Sequence, residues 1–433
     1  LLSPSGAGPR TRQNRLANEL EIRSHSCHRY VFPASLAGNA GYGYSCRKGR
    51  IEDKGCVRDS IKLMDIATPK ATKALHHAAR ITVRRYDPFT EFDAVQDIWT
   101  SLQEKSRHHY FLSWGWNEAW LKSLPVESGV SFVAVFIDTA PAIAFFLGSR
   151  DIIRHGLFRI RQLSLNATLD PVLDAVCVEY NGFLIDPAVT VALERLADLL
   201  PDRRWDEFYM SRFSLSFCPN LELRGNRNGK YDLQVTESEK SYYVDLSKVR
   251  ENGMDYLALL SKNRRNQIRR SLKEYQKTGK LQVRIAGTAQ EALHLLEKLM
   301  ELHQAEWERR GQPGAFSTDY FVSFHRRLVT TRFDHGEIQL AEILSGDETI
   351  GCLYNFIYDQ QVLLYQSGFD YLSENVYRPG LVCHYLLILH NAAKGLQTYD
   401  FLAGAAQYKE SLSTDHNEMQ SILLQKKKVK LSV

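Results

Sequence analysis

The sequence lacks the cysteine arrangements that support a disulfide framework or a structural zinc ion. It has seven cysteines, an odd number, and none of them forms a CxxC pair with a matching histidine spacing. Thiolates at short, regular spacing are needed for a zinc site, and an even set of cysteines is typical of a disulfide scaffold. The sequence therefore predicts no metal site and a reducing, cytoplasmic location.

Long uninterrupted hydrophobic runs are also missing. The most apolar stretch, residues 131–147, is interrupted by Asp138 and Pro141. A membrane span needs about 20 consecutive apolar residues, so this stretch predicts two strands joined by a turn. The first apolar run of the chain is short and interrupted by arginine, unlike a signal peptide. We expect neither a membrane span nor a signal peptide.

The net charge of +5 comes from the start of the chain. Residues 1–63 carry 11 Lys and Arg against 5 Asp and Glu, so the remainder is close to neutral. This segment shows no helical or strand periodicity, and Met64 is the first methionine. It predicts a poorly ordered or non-native extension, with a regulatory tail as the alternative. The bulk charge gives no indication of a nucleic-acid partner.

The length of 433 residues favours two domains, because single cores stop growing at smaller sizes. Regular patterns begin at Ile81, and residues 81–220 predict a mixed α+β domain. Residues 220–240 are polar and predict a connector, and residues 242–430 then read strand, helix, antiparallel strands, helix and strand. The second half therefore predicts one α+β domain.

The first half has its own local signals. Residues 92–105 and 111–124 predict two helices, residues 158–165 a strand and residues 189–200 a further helix.

The second half is more detailed. Helices are expected over 255–278 and 289–309, followed by three strands between 337 and 370. A last helix has Pro379 just inside its start and Gly395 just beyond its end, which is the usual asymmetry of helix termini.

A strand that ends near Gly368 and Asp370 precedes this last helix, which opens with Arg378-Pro379-Gly380. A helix N-terminus offers unpaired N–H groups and positive potential, and glycine lets an anion approach the backbone. This start predicts a pyrophosphate site, with an ordinary capped helix start as the alternative.

Five blocks of the second half resemble a known family. They are KNRRNQIRRSLKEYQKTG (262–279), HQAEWERRGQPGAF (303–316), YQSGFD (365–370), YRPG (377–380) and YDFLAGAAQYKE (399–410). In this order they resemble the acetyltransferase domain of the CelD/BcsL-type family, which is related to the GNAT (Gcn5-related N-acetyltransferase) enzymes. The first half is more weakly similar, for example through VEYNGFLI (178–185). Paired halves of this kind also occur in Fem-type aminoacyltransferases.

The resemblance implies a fold and an activity. The fold is an α+β tandem of GNAT-like domains, each with a mixed central sheet flanked by helices, and the second domain is the catalytic one. The activity is transfer of an acyl group from acetyl-CoA or another acyl-CoA to an amine or hydroxyl. The acceptor is a small molecule or glycan in polysaccharide, cellulose or cell-envelope metabolism. The alternatives are a Fem-like enzyme that uses aminoacyl-tRNA and a non-catalytic GNAT-like binding protein.

The resemblance also places the cofactor phosphates at Arg378, Pro379, Gly380 and Leu381, with Lys409 as a further contact. This segment has one glycine, whereas the GNAT phosphate loop has several around a basic residue, so fewer N–H groups are available here.

Direct attack on a thioester needs a base for the acceptor's proton and a donor for the leaving thiolate. Glu342 is a candidate base, because apolar neighbours on a strand raise a carboxyl pKa, although an outward-facing Glu fits the pattern too. Asp370 and Asp400 each end a strand, so either is the base, orients Gln366 and Tyr408, or only caps a turn. Tyr408 is the candidate proton donor to sulfur.

Two features concern other ligands. His303 and Trp307 share one helix face and, in the resembled family, line the acceptor pocket; packing is the alternative. Residues 262–277 carry seven basic residues against Glu274, so this helix contacts RNA, glycans or the CoA phosphates, or is simply a solvated face. Tyr275 is its single aromatic residue, which disfavours nucleic acid.

Overall fold

A computed structural model describes residues 80–154, 157–200, 204–223, 229–372, 374, 376–404 and 406–427. The expectation for residues 1–63 lies outside this part of the chain. Of the helices in the described ranges, none combines the length and the apolar character that crossing a bilayer requires.

The first half begins with a strand and two helices, which are followed mainly by strands. Its elements are β1 (Ile81–Tyr86), α1 (Phe92–Gln103), α2 (Trp114–Leu121), β2 (Ser131–Ile137), β3 (Ala140–Arg154), β4 (Phe158–Leu165), β5 (Leu184–Ile185), β6 (Val191–Ala192), α3 (Leu193–Asp198), β7 (Glu207–Phe213) and β8 (Leu221–Glu222). Helix α1 buries Val95, Trp99 and Leu102, so the expected helix over 92–105 is present with its apolar face toward the core. The hairpin expected over 131–147 is confirmed as β2 and β3.

Strand β9 (Tyr231–Asp245) is the last strand of the first half and leads into the second half. The elements of the second half are α4 (Leu246–Glu251), α5 (Lys262–Thr278), β10 (Leu281–Ile285), α6 (Ala289–Arg309), α7 (Asp319–Arg332), β11 (Ile338–Ser345), β12 (Glu348–Tyr358), β13 (Gln361–Phe369), α8 (Pro379–Ala393), β14 (Thr398–Ala403), α9 (Gln407–Leu412) and β15 (Asp415–Lys426). Side-chain caps start the long helices: Ser261 accepts from the Arg264 N–H at α5, and Thr288 accepts from the Glu291 N–H at α6. Pro379 is the first residue of α8, as expected.

The main sheet is continuous through both halves. Its order is β1-β2-β3-β4-β7-β15-β9-β14-β13-β12-β11-β10, with β5 added to β3. The order is symmetric about its centre: each half has four antiparallel strands followed by a parallel pair, β4 with β7 and β13 with β14. The last strands are exchanged, because β9 of the first half pairs with β14 and β15 of the second half pairs with β7. The two halves are therefore structural repeats that each complete the other's sheet.

Three sequence expectations about elements need correction. The connector expected over 220–240 is wrong from Tyr231 onward, where β9 begins; most side chains between 234 and 240 are exposed, so no alternation marks the strand. The helix expected over 189–200 is confined to α3. The helix expected over 255–278 is interrupted, because residues 256–259 form a separate 3₁₀ turn before the Ser261 cap.

The halves also share a hydrophobic core. Tyr110 stacks on Phe356 with ring centroids 4.5 Å apart, and Trp116 meets Phe324 at 5.0 Å. Contacts place the described residues in one compact unit. A site in the second half is therefore supported by packing between residues of both halves.

Candidate active site

A cleft opens in the second half where two parallel strands diverge. Strands β13 and β14 pair only from Gln361 with Thr398 to Leu363 with Asp400. Beyond this point they border a small cleft, lined by Leu364, Tyr365, Gln366, Ser367, Phe401, Tyr408 and Lys409. Beyond Leu363 the edge of β13 that faces β14 has no partner strand.

The corresponding place in the first half is filled by the chain itself. Strands β4 and β7 pair from Gln162 with Glu207 to Ser164 with Tyr209, and then a segment around Asn181 enters between them. The Asn181 N–H donates to the Arg212 carbonyl at 2.9 Å, and its side-chain amide donates to the Leu165 carbonyl at 3.0 Å. The first half therefore has no open cleft at the equivalent position.

Lys409 lies at one wall of the cleft and is only 1% exposed. Its ammonium donates to the carbonyls of Leu402 (3.2 Å) and Ala403 (2.5 Å). These carbonyls turn toward it because β14 has a bulge between Asp400 and Ala403, where Leu402 adopts a left-handed φ of 59°. An ammonium has three N–H donors, and these two carbonyls accept two of them.

Asp400 lies behind this wall and is 2% exposed. It accepts hydrogen bonds from the Tyr180 hydroxyl (2.5 Å), the Ser241 hydroxyl (2.7 Å) and the Leu402 N–H (2.7 Å). Burial raises the pKa of Asp400, and the hydrogen bonds from Tyr180 and Ser241 oppose that rise. A carboxylate with three donors already in place anchors the bulge.

Tyr408 forms part of the cleft wall and stacks on His384, with centroids 5.4 Å apart and planes 10° from parallel. Burial lowers the pKa of His384 to about 3, and the positive charge of Lys409 adds to the effect. The imidazole is therefore neutral at physiological pH and serves as a flat support for the Tyr408 ring. Gln366 lies across the cleft on β13.

Helix α8 begins next to the end of β13. A Cβ atom on Gly380 would lie 3.3 Å from the Phe369 ring, so this glycine lets the first turn lie close to the strand. No side chain caps the helix start at Arg378. Leu381 is buried, and its N–H bonds to the Arg378 carbonyl at 3.0 Å, as in an ordinary first turn. The uncapped N-terminus is positioned to attract an anion.

Three arginines, which we call the arginine cluster (Arg264, Arg270 and Arg378), gather at this helix start. Burial lowers the pKa of Arg264, and the charge of Arg378 lowers it further. Burial and the charge of Arg270 do the same to Arg378. The Ser271 hydroxyl brings α5 to this place by donating to the Val376 carbonyl at 2.8 Å. Like charges held together at a helix N-terminus are stabilised by a bound anion.

Comparison with known protein families identifies the part of the chain that contains this cleft. Residues 262–410 match the family model of the GNAT acetyltransferase domain. The chain carries a GNAT-type acetyltransferase domain. The fold is GNAT-like, and enzymes with this domain are acyltransferases that use acyl-CoA. A search of curated proteins gives no match.

Several solved structures are similar at low sequence identity. A conserved protein of unknown function from Bacteroides thetaiotaomicron VPI-5482 is 11% identical, with 80% of this chain and 100% of that chain covered and a TM-score of 0.44. FemX is 10% identical, with 76% and 95% covered and a TM-score of 0.46. A tandem GNAT protein from the clavulanic acid biosynthesis pathway is 8% identical, with 80% and 98% covered and a TM-score of 0.39.

Glu342 lies on β11 of the GNAT domain and does not line the cleft. Its buried carboxylate pairs with Lys298 at 2.6 Å and with Arg284, and it accepts from the Thr349 hydroxyl at 2.6 Å. Burial alone raises the pKa of Glu342, but the hydrogen bonds from Lys298 and Thr349 outweigh it and hold the pKa below its usual range. The upward shift expected from the apolar sequence context is therefore wrong, because the partners come from other elements.

Replacing Glu342 with glutamine is expected to lower the free energy of unfolding at neutral pH by about 1–3 kcal/mol, because two cations lose their partner. A depressed carboxyl pKa stabilises the fold above its ordinary value of 4.5, and this contribution is lost as the pH falls through the folded value. Urea unfolding at several pH values should therefore show that the variant and wild type differ less in free energy of unfolding at acidic pH than at neutral pH. A constant difference down to low pH would contradict the ion-pair account.

The predicted acceptor residues His303 and Trp307 lie behind β13. His303 donates from Nδ1 to the Ser367 carbonyl at 3.1 Å and accepts from the Ala315 N–H at 3.3 Å. Burial lowers the pKa of His303 to about 4. Trp307 packs beside it, with ring centroids 5.7 Å apart. This pair braces α6 against the cleft strand.

The structure brings Gln366, Tyr408 and Lys409 into one cleft, with Asp400 directly behind it. Asp370 is exposed just after β13, and its N–H bonds to the Ile350 carbonyl at 2.9 Å. Within the described ranges, no group of His, Cys, Asp and Glu residues is arranged to hold a metal ion.

Sequence reasoning missed the two residues that reach the site from the first half. Glu179 and Tyr180 contact β14 directly. Both belong to the block 178–185, which was noted only for its weak resemblance to the family. The available sequence signal was the ionisable Glu179-Tyr180 pair, which is followed directly by Asn181 and Gly182.

Proposed function

We propose that the GNAT domain transfers an acetyl or longer acyl group from acyl-CoA to an amine or hydroxyl in the cleft between β13 and β14. The observation that carries the proposal is the divergence of this parallel pair, with Tyr408 and Lys409 at one wall. The arginine cluster and the α8 N-terminus lie beyond the carboxyl end of β13. This layout matches a ligand with a narrow amide-bearing arm and a phosphorylated end.

The residues have separate roles in this proposal. The arginine cluster and the first turn of α8, at Pro379 and Gly380, hold the phosphates. The arm lies along β13 beside Gln366. Charge-assisted bonds to phosphate are stronger than neutral ones, which offsets the presence of only one glycine in the turn.

The reaction needs no covalent enzyme intermediate. The acceptor's nitrogen or oxygen attacks the thioester carbonyl, the new bond forms, and the C–S bond then breaks. Lys409 stabilises the negative charge that develops on the carbonyl oxygen, and Tyr408 donates a proton to the leaving thiolate. The acceptor's proton passes to water at the cleft mouth, because Asp400 already has three donors and Glu342 is ion-paired on β11.

The acceptor is proposed to be a small molecule or glycan of polysaccharide or cell-envelope metabolism. The resemblance of the five sequence blocks to the CelD/BcsL-type family supports this choice.

A specific observation favours aminoacyl-tRNA as the second candidate donor. The exposed side chains of Lys262, Arg269 and Lys273 continue the positive charge of the arginine cluster along α5. At 1.5 Å per residue this helix is about 25 Å long, which exceeds the reach of one diphosphate. Such a surface fits several phosphates of a nucleic-acid backbone.

Binding distinguishes the two donors. Acetyl-CoA at about a hundred times its Kd is expected to raise the free energy of unfolding by about 2.7 kcal/mol. Calorimetry should give one molecule per chain, because the first-half cleft is filled around Asn181. Two molecules per chain would contradict the filled cleft. Binding of aminoacyl-tRNA without any response to acetyl-CoA, CoA or longer acyl-CoAs would replace the first proposal with the second.

Replacing Tyr408 with phenylalanine is expected to lower kcat by about 10- to 100-fold, because a positioned proton donor contributes at least this much. The ring still stacks on His384, so the Kd for CoA should change little. Steady-state kinetics and calorimetry measure the two effects. Tyr371, which is 47% exposed, is the matched control, and its phenylalanine variant should equal wild type. Unchanged turnover in the Tyr408 variant would remove Tyr408 as the acid.

A further inference from the structure

Two residues of the first half are built into the wall of the cleft. The Glu179 carboxylate, 2% exposed, accepts from the Ala403 N–H at 2.6 Å. The Tyr180 hydroxyl donates to Asp400 at 2.5 Å and accepts from the Asn417 side chain at 3.1 Å. Two successive residues of the first half therefore contact β14 at its bulge.

The bulge depends on these contacts because the regular pairing of β14 with β9 is interrupted between Asp400 and Ala403, so the backbone groups there need other partners. The N–H groups of Leu402 and Ala403 both end on carboxylates, those of Asp400 and Glu179. Their carbonyls both end on the Lys409 ammonium. Backbone groups that are buried without a partner are strongly unfavourable. Removing either carboxylate therefore releases the peptide groups that hold Lys409.

The same segment fills the first half's own cleft. Asn181 follows Tyr180 directly and bonds to Leu165 and Arg212 on the two diverging strands, β4 and β7. Asn166 adds a bond of 2.8 Å to the Asn181 side chain. The insertion into β4 and β7 thus fixes the position from which Glu179 and Tyr180 reach β14.

We propose that Glu179 and Tyr180 are positioning residues for the GNAT site, acting through Ala403 and Asp400 to aim the Lys409 ammonium into the cleft. This inference rests on the proposed function for its kinetic consequence. In this arrangement the segment around Asn181 fills the space between β4 and β7, and the first half supports the site of the second half.

Burial raises the pKa of Glu179, and the charges of Arg212 and Lys409 counteract that rise. Arg212 in turn donates to Glu239 on β9 at 2.8 Å. Both cations stabilise the ionised form of Glu179, so the carboxylate is held in place from both halves.

The kinetic test compares three variants of the full chain with wild type. In E179A, which removes the acceptor for the Ala403 N–H, acetyl-CoA turnover should fall about tenfold or more, since misplaced catalytic groups lose this much. Y180F should show a smaller fall. E179Q retains an oxygen acceptor and should recover most of the activity. The Kd for CoA, measured by calorimetry, should stay within about twofold in all of them, because no phosphate contact changes.

The control is E207A, which removes another buried carboxylate of the first half. Glu207 accepts from Gln162, Arg154 and Gln425, and none of these three residues belongs to the bulge. This variant should lose stability as E179A does but keep wild-type turnover. Equal losses of turnover in E179A and E207A would show a merely structural role and overturn the inference.

A second readout does not require activity. Hydrogen exchange of the peptide covering residues 400–409 should accelerate in E179A, stay near wild type in E179Q and remain unchanged in E207A. If wild type neither binds nor turns over acyl-CoA, the proposed function fails, and the exchange result alone decides the positioning role. Wild-type exchange in E179A overturns the inference whatever the activity.

Discussion

Replacing Lys409 with methionine is expected to lower acyl-CoA turnover by about 10²- to 10³-fold, the usual effect of removing a donor to a developing oxyanion. The ammonium is 1% exposed and borders the cleft, so water does not substitute for it. The Kd for CoA should change little, because the charge that Lys409 stabilises exists only in the transition state.

The same substitution has a structural cost that must be separated from catalysis. The carbonyls of Leu402 and Ala403 lose their donor, which should lower the free energy of unfolding by about 1–3 kcal/mol. Kinetics should therefore be measured well below the variant's Tm. Lys394, exposed at the end of α8, is the matched control, and its methionine variant should behave as wild type. Turnover in the Lys409 variant within a factor of two or so of wild type would exclude its proposed role.

The second large effect concerns the arginine cluster. Replacing both Arg264 and Arg378 with alanine is expected to raise the Kd for CoA by about 100-fold or more, because each charge-assisted bond to phosphate contributes about 1.5–3 kcal/mol. Turnover at saturating acyl-CoA should stay near wild type, since these residues lie at the phosphate end. Calorimetry at two salt concentrations should show a weaker salt dependence in the variant.

Two controls sharpen this experiment. S-acetylpantetheine carries no phosphate, so its weak affinity should be the same for wild type and the double variant. Lys273 is exposed farther along α5, and its alanine variant should bind CoA normally but weaken binding if the donor is aminoacyl-tRNA. An unchanged Kd for CoA in the double variant would place the phosphates elsewhere.

Much of the second half could be predicted from local patterns. Pro379 and Gly395 mark α8, and the apolar runs between 337 and 370, separated by turn residues, mark three strands; all are present. Gln366, Tyr408 and Lys409 do meet in one cleft. The helix and the strands depend on interactions between residues that are close along the chain, so the sequence shows them directly. The meeting of Gln366 with Tyr408 and Lys409 was expected only from the resemblance to a known family.

Features that depend on distant contacts were not predictable in this way. Strand β9 is defined by its pairing with β14 and β15, because its own side chains show no alternation. The lowered pKa of Glu342 depends on Lys298 and Arg284, which lie on two other elements. Tyr180 and Asp400 are 220 positions apart and meet only because the two halves share one sheet.

The exchange of β9 and β15 also explains why one half supports the other. Each final strand completes the partner half's sheet, so neither half has a complete sheet alone. The first half therefore contributes to the framework of the second whether or not it has a site of its own.

A crystal structure of the chain with bound CoA tests the central claim most directly. The account predicts the arm between β13 and β14, beside Gln366 and Tyr408, with the phosphates at Arg378 and the first turn of α8. CoA bound between β4 and β7, or anywhere outside the cleft lined by Lys409, would contradict it.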